Sequence, residues 1–154
     1  CEGGGTYANL WEGSTTLENV RATNEVVVNF TRNPVVYVES ALGDGSGFVV
    51  DGRLRDADGW VRCDAERADE EGGDETRDEV TRWRLIERER RIENRVVPTH
   101  SRGFGSVIEA TVHATRLDIK PELRDLYEHH VEVAERCGGE REREAAERLR
   151  GYVD

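Results

Sequence analysis

Residues 13–19, Gly-Ser-Thr-Thr-Leu-Glu-Asn, place a glycine, a run of three hydroxyls and an amide where the chain must turn out of an apolar stretch and begin a helix. A helix N-terminus exposes unpaired N–H groups and carries partial positive charge. A glycine lets an anion approach the backbone, and neighbouring hydroxyls add donors. Ser14, Thr15, Thr16 and Asn19 are therefore candidate phosphate ligands. The competing use is structural. Thr15 as cap with Glu18 three residues on spells a capping box, worth about 1 kcal/mol, and capping is the commoner use of such a pattern. No G-x-x-x-x-G-K-[ST] occurs, which excludes a nucleoside triphosphate loop of that type.

The theme returns in Arg102-Gly-Phe-Gly-Ser106. Here Arg102 could neutralise a phosphate, and Ser106 to Glu109 spells a second capping box. An ordinary helix start again accounts for the pattern. Glu109 and His113 share a helix face at i, i+4, but Glu109 is already used by the capping box and there is no H-E-x-x-H. No metal site is expected. His129 and His130 fall mid-helix, one toward the apolar stripe and one toward solvent, and His100 falls in a loop beside Arg102. No Ser-His-Asp or Cys-His arrangement emerges, so no catalytic residue is singled out. Cys1, Cys63 and Cys137 are odd in number and far apart, without C-x-x-C, and read as free thiols of a reducing cytoplasm.

The elements that must position these residues follow from pattern. Tyr7–Trp11 reads as a strand, and Leu17 and Val20 face inward from a short helix that Asn24 stops. Glu25–Phe30 is a strand whose valines predict burial on both faces. Asn33 as cap, Pro34 at the first helical position and Gly43 as stop predict a helix through Leu42. The stretch Gly47–Leu54 is loop or weak strand. Trp60–Ala68 and Val80–Ile92 form a long hairpin around an acidic tip with Gly72-Gly73, and Thr81, Trp83 and Leu85 share one side. Pro98 ends the β-rich part. Helices follow: one from Ser106, one from Pro121 to Gly138-Gly139, and a charged one with Ala145, Ala146, Leu149 and Tyr152 as its apolar edge. The stripe of the middle helix is Leu123, Leu126, Tyr127, His130, Val131, Ala134 and Cys137. The chain thus divides into a β-rich part, 1–98, and a helical part, 99–154.

Composition narrows the class. The chain has 154 residues and a formal net charge of −11, with a single lysine, Lys120, among 22 basic residues. Such an acidic, arginine-based surface fits a salt-adapted cytoplasmic protein, since high salt screens carboxylate repulsion. There is no basic stripe with interleaved aromatics, which argues against nucleic acid. No apolar run is long enough for a membrane span. The opening at Cys1, with no methionine anywhere, reads as a chain lacking an N-terminal piece.

The segment Glu12–Thr31, "EGSTTLENVRATNEVVVNFT", resembles the signature of flavin-reductase-like proteins with the FMN-binding split-barrel fold. "GFGSVIEATVHATRLD", residues 103–118, resembles the C-terminal helical segment of an uncharacterised, largely archaeal branch of that superfamily. Together they span about a quarter of the chain. The resemblance implies a mainly β protein with a helical C-terminal segment packed on a split β-barrel, working as a homodimer with FMN at the interface. Its phosphate-binding hydroxyls map onto Ser14, Thr15 and Thr16, its amide onto Asn19, and its strand asparagine onto Asn29. Arg102 is a physical candidate outside that correspondence. The family's upstream turn, with its contacts to the flavin ring, has no counterpart here. The implied function is an FMN-dependent oxidoreductase of the flavin reductase type, with NAD(P)H or another electron donor as partner. The rival readings are a non-catalytic flavin carrier or sensor, and a structural dimer that binds nothing.

Overall fold

The computed structural model describes residues 5–68, 80–97 and 99–153. Cys1, the acidic tip with Gly72-Gly73, and Pro98 lie outside them. The chain divides into two compact units, each built from two stretches: Cys1–Phe30 with Gly59–Glu93, and Thr31–Asp58 with Asn94–Asp154. Residues 31–58, grouped with the β-rich part on sequence grounds, therefore cluster with the helices.

The first unit holds β1 (Thr6–Trp11), α1 (Thr15–Thr23), β2 (Glu25–Phe30), β3 (Gly59–Arg67) and β4 (Val80–Ile92). The strands form one antiparallel sheet in the order β1-β4-β3-β2. The alternation in β4 is as its sequence predicts: Thr81 and Trp83 are buried while Arg82 and Arg84 are exposed. β1 and β2 occupy opposite edges, so α1 crosses one face of the sheet to join them. It buries Leu17 and Val20 against Ala65 and Trp83, with Leu10, Val26 and Leu85 at the margin. Asn24 ends α1 in the left-handed region, φ 54°, its N–H donating to the Val20 carbonyl. The expectation of a two-face burial for β2 is corrected: all its valines are only half-buried, because an edge strand has a neighbour on one side only. A register shift at Arg62/Cys63 leaves Arg88 as the extra residue of a bulge. Its guanidinium reaches Glu25 at 2.7 Å and Asp64 at 3.2 Å, tying three strands.

The second unit holds α2 (Pro34–Leu42), α3 (Arg102–Ala114), α4 (Arg124–Cys137) and α5 (Glu140–Val153). Its core is Val35, Val38, Val107, Ala110, Tyr127, Val131, Ala134, Ala145, Ala146 and Leu149. Asn33 caps α2 as predicted, its Oδ1 accepting from the Val35 N–H at 3.2 Å. The stretch 47–54 closes as a two-residue hairpin turn over Asp51 and Gly52, both at positive φ. Two helix details differ from expectation. α3 starts at Arg102 with Ser101 as its cap, and Ser106 is buried inside it, so Ser106 to Glu109 is not a capping box. In the α4 stripe, Leu126 and Cys137 are exposed and Val133 is buried in their place.

Candidate phosphate site at the first helix

The turn from β1 into α1 is set by Gly13, at φ +77°. That left-handed conformation strains any residue with a Cβ. It lets Ser14 fold back. Ser14 Oγ donates to the Trp11 carbonyl at 2.7 Å and accepts from the Leu17 N–H at 3.3 Å. The cap is thus Ser14 and not Thr15, and no Glu stands at the third helical position.

This one-residue shift changes what each hydroxyl can do. Four N–H groups at a helix start have no intrahelical partner. Here Ser14 N–H donates to Trp11 O at 3.2 Å, and Leu17 N–H is taken by the Ser14 hydroxyl. Among the described residues nothing accepts from the N–H groups of Thr15 and Thr16. The side chains of Thr15 and Thr16 are exposed and make no hydrogen bond among the described residues. Two adjacent residues therefore each offer an amide and a hydroxyl at the positive end of the helix dipole. Asn19, also exposed, lies on the same helix face at i, i+4 from Thr15 and i, i+3 from Thr16.

The acidic background is locally offset. Glu12, beside Gly13, is gripped by Arg21 through two hydrogen bonds, 2.6 and 3.0 Å, which push the Arg21 pKa above its ordinary value. The pair spans the turn and neutralises the carboxylate beside Gly13. Glu18 remains in the first turn, exposed and open to solvent screening. The Glu12–Arg21 pair could not be found from sequence, because the two lie nine residues apart and meet only through the turn.

The other candidates belong to other elements. Strand alternation puts Val26 on the sheet face that α1 covers and Asn29 on the opposite face, where its Nδ2 donates to the Val27 carbonyl at 3.3 Å. Tyr7 and Trp11 share that opposite face, and the Arg82 guanidinium lies 4.1 Å from the Tyr7 ring centroid. Arg102 is exposed at the first position of α3, in the other unit. Among the described residues no group of three or more His, Cys, Asp or Glu could hold a metal ion. No described helix is long and apolar enough to cross a membrane.

A sheet whose two edges are joined by a capped helix, followed by a helical unit, is the arrangement that the comparisons with known proteins find again. A family model for the N-terminal domain of proteins of unknown function (DUF447) matches residues 1–94, and its C-terminal counterpart matches residues 101–151. The chain belongs to the DUF447 family. Among solved structures, it is similar to the FMN-bound protein MM1853 from Methanosarcina mazei, also of DUF447, with 27% identity and a TM-score of 0.84. The match covers 99% of this chain and 84% of that one. No curated protein matches.

Proposed function

We propose that this protein binds FMN and that the first turn of α1 grips its phosphate. The observation that carries the reading is the likeness, over 99% of this chain, to an FMN-bound member of the same family. The fit of the residues supports it: Thr15 and Thr16 present unspent amides and hydroxyls, Gly13 leaves the backbone open, and Arg21 neutralises Glu12. Asn19 adds an amide on the same face, and Ser14 holds the turn. Bound flavin would supply hydride or electron transfer. The protein's part would be to anchor, orient and shield it. In this reading the activity is that of an oxidoreductase of the flavin reductase type, with NAD(P)H or another donor. The protein would act as a cytoplasmic homodimer with a split-barrel core. Support for the dimer comes from the open edges β1 and β2 and from Phe30 and Ile92, which are 55% and 70% exposed.

The test is a fluorescence titration of the protein with FMN and with riboflavin, at high salt. Replacing Thr15 and Thr16 with valine removes two donors at nearly constant shape. A hydrogen bond to a charged group is worth about 1.5–3 kcal/mol, so FMN affinity should fall about tenfold or more. Riboflavin, which lacks the phosphate, should bind wild type and variant alike. A wild-type protein that binds no FMN, or a variant that binds it as tightly, overturns the reading. NAD(P)H oxidation by the flavin-loaded protein tests the reductase activity; a flavin that pyridine nucleotides leave oxidised makes the protein a carrier.

A further inference from the structure

Three histidines meet where α3 packs on α4. The rings of His113 and His130 have centroids 5.6 Å apart with planes inclined by 31°, and His129 approaches His130 edge-on at 5.4 Å. The Nδ1 atoms of His113 and His130 are both buried, and no group among the described residues hydrogen-bonds to either. A neutral imidazole tolerates this, since with its proton on Nε2 the Nδ1 carries only a lone pair. A protonated imidazole is a donor at both nitrogens. Its new Nδ1–H would be buried without an acceptor, the costly half of hydrogen-bond energetics. The charge would also sit beside two further imidazole rings.

Little nearby can offset that charge. On α3, Glu109 faces His130 and favours its protonation, but burial, then His113, then His129 outweigh it and hold the His130 pKa below the ordinary histidine value. On α5, Arg150 is held by Glu128 and Glu135 of α4. The one acid of α2, Glu39, is bound to Arg148 and Tyr152. Glu122, on the turn before α4, is exposed.

We propose that His113, His129 and His130 form a proton-sensitive joint between α3 and α4, closed while the rings are neutral and loosened when they are charged. The sign follows from linkage. A histidine whose folded pKa is depressed stabilises the fold in full above its unfolded value, about 6.5, and loses that contribution as pH falls from there through the folded value. The joint would thus open as pH falls below about 6.5.

Hydrogen exchange on the full chain tests this, comparing about pH 8 with about pH 5, on either side of histidine titration, after correction for intrinsic rates. Protection in α3 and α4 should fall by about tenfold, while β3 and β4 in the other unit serve as the reference and change little. His113→Gln with His130→Gln should cut the fall to less than about twofold, since neither glutamine titrates. Equal loss in strands and helices, or an undiminished loss in the double variant, overturns the proposal. Ring proton shifts followed by NMR need no variant: His130 should titrate below about 6.5, and titration at or above that value overturns the proposal.

Discussion

Asp58 holds Arg32 at two points, with Nε donating to Oδ2 at 2.7 Å and Nη2 to Oδ1 at 2.9 Å. The Asp58 carbonyl also accepts the Asn94 N–H at 3.0 Å. Asp58 therefore ties together three stretches of the helical unit: the one after Phe30, the one before Gly59 and the one after Glu93. The forked guanidinium matches a carboxylate in plane, the strong form of this contact.

That grip has a pH signature. The Arg32 guanidinium holds the Asp58 carboxyl below the usual carboxylate range, with burial opposing it. A depressed folded pKa means the stabilisation is complete above the unfolded value, about 3.9, and lost as pH falls through the folded one. Asp58→Asn should lower Tm by about 2–4 °C at neutral pH. The gap between wild type and variant should close as urea unfolding is repeated at lower pH. A gap that persists in strong acid would mean that the charge of Asp58 is not what Arg32 reads.

Ser14 and Thr15 should separate capping from binding. Ser14 fills the cap, so Ser14→Ala should cost about 1 kcal/mol of stability by thermal or urea unfolding. Thr15 caps nothing, so Thr15→Val should cost little stability while weakening FMN binding. The reverse pattern, an unstable Thr15→Val with unchanged binding, would return the cap to Thr15 and remove the phosphate site.

Part of this was legible beforehand, and the misses have physical causes. Asn33-Pro34 with Gly43 gave the bounds of α2, because local capping chemistry decides a short helix. Glu18 points to Thr15 as the cap, but Gly13 at φ +77° and the Trp11 carbonyl hand the role to Ser14, and sequence displays neither. In α3, Gly103 and Gly105 read as a break before a cap at Ser106, yet both are helical. The valines of β2 gave the strand but not its place at the sheet edge, which depends on pairing across long sequence separation. At the site, the hydroxyls were visible in sequence. The Glu12–Arg21 pair and the far-face position of Asn29 were not, since both require the turn and the register.

The thiols should differ sharply in reactivity. Cys63 is buried in β3, and burial, then Glu87 and Asp64, push its pKa up. Thiolate is the reactive form, so Cys63 should resist alkylation in the native protein. Cys137 is exposed at the end of α4 and should label readily. Peptide mapping after a brief iodoacetamide pulse reads both sites separately. Labelling of Cys63 at the rate of Cys137 would contradict its burial.

Two glycines of α3 should respond to alanine with opposite signs. A Cβ on Gly103 would lie 2.5 Å from the Gly138 Cα and 2.9 Å from its N, where backbone leaves no room to yield. A Cβ on Gly105 would meet nothing within 4 Å. Helix propensity favours alanine over glycine by about 1 kcal/mol at either site. At Gly105, which is exposed, that gain should appear undiminished as a raised urea midpoint. At Gly103 the clash, about 1–3 kcal/mol or more for an overpacked contact, should exceed it and destabilise the helical unit. If Gly103→Ala proves as stable as Gly105→Ala, the close approach of α3 to the α4–α5 junction is wrong.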